Sequence, residues 1–145
     1  MRFRMHSIVL IATGATLALA GCNKGEQPKP PADTTTPAPA TANPNGKVIE
    51  IEAVTDEKGS FFKPNDVEAH PGDILRFKLA QGVHNVNFVA DSNPGVANLP
   101  AVSAFLQLPG QTIDIVVPDA IGKRLYFQCD PHALLGMVGH VKVED

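Results

Sequence analysis

From about position 47 onward, apolar and polar residues alternate with period two, and no sustained helical period accompanies them. Lys47 to Val54 places Ile49, Ile51 and Ala53 on one face. A polar turn from Asp56 to Ser60 holds Gly59, and the aromatics of Phe61-Phe62-Lys63-Pro64 are expected to plug one end of a core. Val67 and Ala69 alternate with Asp66, Glu68 and His70 before the turn signal Pro71-Gly72-Asp73. Leu75, Phe77 and Leu79 then point inward between Arg76 and Lys78. Val83 to Ala90 reads as a strand with His84, Val86 and Phe88 on one face. From Asp91 to Gly110 the alternation fails. Asn93-Pro94-Gly95 and Pro109-Gly110 mark turns there, and Pro100 to Leu106 is expected as one short helix. Ile113, Ile115 and Val117 restore the alternation, and Pro118 to Gly122 turns the chain again. Leu125, Phe127 and Cys129 share parity in the next strand, as do Met137, Gly139, Val141 and Val143 in the last. Seven or eight short strands joined by turns predict an all-β sandwich.

The first 46 residues follow other patterns. Arg2 and Arg4 precede an apolar run from Ile8 to Ala20 that contains Thr13, Gly14 and Thr16 and is short for a membrane span. It ends in Leu19-Ala20-Gly21-Cys22, which resembles a bacterial lipobox, cut before the cysteine and lipidated on it. Residues 1–21 are therefore expected to be a lipoprotein signal peptide, with Cys22 as the lipidation site. Residues 22–46 are rich in Pro, Thr and Ala and lack the large apolar side chains that would offset chain entropy. They read as an extended tether reaching at most ~75 Å at about 3.1 Å per residue. Residues 47–145 form one domain, with 8 Lys/Arg against 13 Asp/Glu and a net charge of −5. That balance argues against a nucleic-acid partner and allows steering toward a basic redox protein.

With Cys22 assigned to lipid, Cys129 is the one remaining cysteine of an exported protein and has no intrachain disulfide partner. It must be buried and inert, paired between chains, reactive, or bound to metal. Its neighbours favour metal. In Cys129-Asp130-Pro131-His132-Ala133-Leu134-Leu135-Gly136-Met137 a thiol, an imidazole and a thioether fall within nine residues, and His84 supplies a second imidazole upstream. One thiolate and two imidazoles in a trigonal plane, with a weak axial thioether, form a mononuclear blue-copper site. By parity Cys129 and Met137 face one interior, with the ligand loop joining two adjacent strands. His70 and His140 have the opposite parity and are expected to face solvent, and His6 belongs to the leader.

The domain resembles the cupredoxins, and within them the plastocyanin- and halocyanin-like members. The matching residues are Gly82-Val83-His84-Asn85-Val86, Tyr126-Phe127-Gln128-Cys129-Asp130-Pro131-His132 and Gly136-Met137-Val138-Gly139, with weaker likeness at Phe62-Lys63-Pro64 and Ala69-His70-Pro71-Gly72-Asp73. The resemblance implies a Greek-key β-sandwich holding one type 1 copper, with His84, Cys129, His132 and Met137 as ligands. It also implies that Asn85 hydrogen-bonds the ligand loop beside the cysteine. Because Asp130 follows Cys129, backbone is the expected partner of Asn85, and both residues are assigned to the shell around the ligands. Pro131, Ala133, Leu134 and Leu135 would form an apolar docking and electron-transfer patch around His132; otherwise Leu134 and Leu135 would be buried loop packing. Gln128 stands where many plastocyanins have an aromatic, which argues against a second electron-entry route there.

The expectation is a monomeric copper electron carrier, lipid-anchored to a bacterial membrane outside the cytoplasm. It would dock transiently with soluble or membrane-associated redox proteins. No phosphate-binding glycine loop, paired catalytic carboxylates or nucleophile elbow suggests an enzyme. Two alternatives use the same residues: a copper-binding module that delivers the metal, and a type 2-like copper enzyme with an open coordination position.

Overall fold

The computed structural model describes residues 41–145. The leader, Cys22 and most of the Pro-rich segment lie outside the described residues, and so do the expectations drawn for them. The alternating stretches become seven strands: β1 (Val48–Asp56), β2 (Gly59–Lys63), β3 (Asp66–Ala69), β4 (Ile74–Leu79), β5 (Thr112–Val116), β6 (Arg124–Gln128) and β7 (Val138–Val143). One sheet has the order β2-β1-β4-β5 and the other β3-β7-β6. Together they form the all-β sandwich that the alternation predicts. Two pairings are parallel, β1 with β4 and β3 with β7, and each joins strands separated by a crossing to the other sheet.

The inward parity read from the sequence holds along each strand. Ile51, Ala53, Val67, Ala69, Leu75, Phe77, Leu79, Leu125, Phe127, Val141 and Val143 are buried between the sheets. At the centre, Phe62, Phe77 and Phe127 meet edge to face, with ring centroids 5.1 to 5.6 Å apart. This geometry sets the positive ring edge against the negative ring face. Phe62 is thus inside the core rather than a plug at its end, while Phe61 is half-buried.

Two expected elements are absent as elements. Val83 to Ala90 is extended but joins no ladder: His84 bridges to Leu106, and three residues later Asn87 bridges to Gln128 at the end of β6. The segment changes partner between those bridges, so period two survives without a continuous strand. The short helix expected over Pro100–Leu106 does not form. Its amides are engaged elsewhere, Ser103 N–H donating to the Val86 carbonyl and Leu106 N–H to that of His84. The helical turns among the described residues are 3-10 turns at Ala90–Ser92 and Asp130–Leu135. Beyond the first, buried Asn93 accepts from Tyr126 N–H and donates to the Tyr126 carbonyl, sealing the open edge of β6 just before the metal-binding run.

Candidate metal centre

Cys129 directly follows β6 and Met137 directly precedes β7, so the run between them closes an antiparallel pair. Cys129 N–H donates to the Met137 carbonyl at 3.1 Å, and Met137 N–H donates to the His132 carbonyl at 3.1 Å. His132 N–H in turn donates to the Cys129 carbonyl at 3.0 Å. These bonds coil Asp130–Leu135 into its 3-10 turn and bring His132 back over Cys129. Cys129 Sγ lies 3.3 Å from His132 Nδ1 and 3.6 Å from His84 Nδ1, and the two Nδ1 atoms are 3.2 Å apart. Cys129, His84 and Met137 are fully buried, whereas His132 is half-buried.

The orientation of His84 follows from what its other nitrogen touches. Nε2 is 3.0 Å from the Gln81 carbonyl oxygen, which can only accept, so Nε2 carries the proton. Thr55 Oγ1 lies 3.1 Å from the same nitrogen and is itself bonded to Ser60 Oγ at 2.8 Å. Burial holds His84 below the usual imidazole range, the Gln81 carbonyl opposes this, and His132 adds to it. A neutral ring protonated at Nε2 presents the Nδ1 lone pair toward sulfur, the tautomer a metal requires. Gly82 makes the fit possible: a Cβ there would stand 2.6 Å from His84 Nε2.

Burial also pushes the Cys129 thiol up. Backbone N–H groups of Asn85 and His132 oppose that, and the Asp130 charge adds to it. A sulfur in this setting becomes a thiolate when a cation lies beside it, and metal binding supplies one.

Around these donors runs a second set of bonds. Asn85 Oδ1 accepts from the backbone N–H of Asp130 at 2.8 Å, the backbone partner expected from the sequence. The expectation was incomplete, because Asn85 Nδ2 also donates to Asp130 Oδ2 at 2.8 Å. Asp130 Oδ1 accepts from Asn87 Nδ2 and from Gln128 Nε2, both at 2.9 Å. The Gln128 amide leads in holding the Asp130 carboxyl below the usual carboxylate range; burial opposes it, and the Asn85 and Asn87 amides assist. Sequence reasoning missed Thr55, Ser60, Asn87 and Gln128 in these roles. The repeated Asn in His84-Asn85-Val86-Asn87 was a signal for one of them. Nothing in the sequence linked Thr55 to a histidine 29 residues away.

The family described as "Copper binding proteins, plastocyanin/azurin family" matches residues 49–144. The chain belongs to this family. Chloroplastic plastocyanin of Oryza sativa subsp. indica is 38% identical over 87 residues, covering 57% of this chain and 54% of the relative. The chain thus spans about half the length of that relative. Plastocyanin of Vicia faba is 34% identical over 100 residues, 66% of this chain and 99% of the relative. Among solved structures, native pseudoazurin from Hyphomicrobium denitrificans superposes with a TM-score of 0.52 at 27% identity, covering 66% of this chain and 74% of that one.

The family's copper fits the residues present. The donor atoms of His84, Cys129 and His132 lie within 4.8 Å of one another, and two of the three residues are buried. One cysteine, two histidines and a buried methionine are the donor types of one type 1 copper. His70 and His140 stand apart from this group. His70 is exposed as expected, 3.6 Å from an Asp73 oxygen. His140 is not free in solvent, because its register partner Tyr126 packs edge-on against the ring, centroids 5.7 Å apart, leaving it half-buried.

Proposed function

We propose that this chain is a blue copper electron carrier, tethered outside the cytoplasm to a bacterial membrane through Cys22. The observation that carries the reading is the convergence of Cys129 Sγ with the Nδ1 atoms of His84 and His132 beneath a half-exposed surface. In it, His84, Cys129, His132 and Met137 would hold the metal, and Asn85 and Asp130, bonded to each other, lie just outside those donors. The bound copper supplies a one-electron couple between Cu(II) and Cu(I). The chain holds a donor set suited to both states, so little has to move when the electron arrives.

His132 is the ligand nearest solvent, and Leu134 and Leu135 beside it are 101% and 75% exposed. Their exposure supports the docking patch over the alternative of buried loop packing. With Pro131 and Ala133 they offer an apolar surface through which electrons pass to transiently docked redox partners. No substrate turnover is part of this reading. A lipid anchor and the 22–46 tether would raise the effective concentration of the domain near membrane redox complexes.

The test is an optical and EPR spectrum of the full chain loaded with Cu(II). An intense blue thiolate-to-copper band with narrow copper hyperfine splitting, lost in Cys129→Ser, is the expected result. A pale protein with wide splitting would sink the carrier reading in favour of a type 2-like centre. A blue centre that loses its copper readily and exchanges electrons slowly would favour delivery of the metal.

A further inference from the structure

The segments that carry the donors are almost free of charge. From Leu79 to Ala90 there is no Lys, Arg, Asp or Glu, and from Cys129 to Val141 Asp130 is the one such residue. Its carboxylate is fully engaged, but by neutral partners: the amides of Asn85, Asn87 and Gln128. The ion pairs among the described residues involve Asp66, Glu68, Asp73, Asp114 and Glu144, never Asp130. Amide dipoles orient a carboxylate without cancelling its charge. The charge therefore stands uncompensated one residue from the thiolate ligand and across a hydrogen bond from the residue that follows His84.

We propose that Asp130 acts as an electrostatic positioning residue that lowers the reduction potential of the bound copper, its charge fixed near the metal by the three amides. A negative charge stabilises Cu(II) more than Cu(I), so the carboxylate biases the couple toward the oxidised state. Gln128 aims this charge: its Nε2 holds Asp130 while its Oε1 accepts from the Tyr126 hydroxyl at 2.9 Å, which fixes the amide's orientation. Gln128 thus has a task at the position where many plastocyanins have an aromatic.

The inference rests on the type 1 copper reading, so the full chain is first loaded with Cu(II) and its colour recorded. The reduction potential of Asp130→Asn is then measured beside the unaltered protein. The variant is expected to favour Cu(I) by about tenfold, ~59 mV for a one-electron couple, with the blue band and hyperfine splitting unchanged. An unchanged or lower potential overturns the proposal. A higher potential accompanied by an altered band and splitting also overturns it, because the residue would then act by bracing the ligands. Gln128→Lys, which sets a cation against the carboxylate and leaves Asp130 in place, must raise the potential too. It decides the question if Asp130→Asn fails to fold, and no rise in it counts against the charge. A pale unaltered protein fails the type 1 reading itself and takes this inference with it.

Discussion

The two histidines of the metal centre sit only 3.2 Å apart at their Nδ1 atoms, yet their surroundings differ in kind. His84 is fully buried, and its far nitrogen is held by the Gln81 carbonyl and the Thr55 hydroxyl on the β2-β1-β4-β5 side of the molecule. His132 is half-exposed on a 3-10 turn whose tip, Leu134 and Leu135, is open to solvent. The buried half fixes where the donors stand, and the surface half leaves one imidazole within reach of a partner. Rigidity on one side and access on the other are the two things the proposed electron-carrier role requires. The fold separates them by taking one ligand from a buried connection and the others from the loop after β6.

The largest expected effect tests whether the core beneath the site is shared by both halves. Phe127 lies two residues before Cys129 and packs against Phe62, Phe77 and Phe88. Phe127→Ala should destabilise the domain by about 3–5 kcal/mol, since a large buried ring leaves a cavity that collapses only in part. Thermal unfolding of the metal-free chain would measure it. A loss below about 1 kcal/mol would mean that the loop, not the core, holds Cys129 in place.

The buried half alone is tested at Gly82. Its φ of 104° is in the left-handed region, and a Cβ would meet His84 Nε2 at 2.6 Å and Thr55 Oγ1 at 2.7 Å. Gly82→Ala therefore combines backbone strain with a clash against the proton-bearing nitrogen, at a cost of about 1–3 kcal/mol. The expected signature is lower stability together with a changed copper spectrum, because His84 must turn. The surface half offers the control. Gly136 has φ 94°, but nothing lies within 4 Å of a Cβ there, so Gly136→Ala carries only the strain of about 1–2 kcal/mol. Equal spectral changes in the two variants would erase the difference between the halves.

What the sequence disclosed divides along the same line. Strand parity, the buried faces and the meeting of Cys129 with His132 were legible because they are local. Period two fixes which side chains share a face, and a nine-residue run carries its own geometry. Connections made through partners distant in the chain were not legible. Val83–Ala90 looked like a strand because its side chains do alternate, but which backbone it pairs with depends on Leu106 and Gln128, which the alternation does not report. Pro100–Leu106 looked like a helix because its composition permits one, and two long-range amide bonds hold it extended instead. For Asn85, the family resemblance implied a partner near Cys129; that Asp130 offers it both backbone and carboxylate depends on how the loop after β6 folds.

The smallest expected effect on stability belongs to the exposed tip, and it sharpens the comparison most. Leu134 and Leu135 contribute almost no buried area, so Leu134→Lys combined with Leu135→Lys should change unfolding free energy by no more than about 0.5 kcal/mol. The same change in the buried half, with His84 and Val86 fully enclosed, would not be tolerated. The copper spectrum should also stay as it is, since neither side chain lies among the donors. What should change is the encounter. From Pro131 to Val141 there is no Lys, Arg, Asp or Glu, so two lysines place charge on the otherwise neutral surface proposed for docking. Electron exchange between copies of the chain, followed by stopped flow or NMR line broadening, should slow and become strongly dependent on salt. An unchanged rate with an unchanged spectrum would show that electrons leave by a route other than the His132 edge, and the open half of the site would then need another explanation.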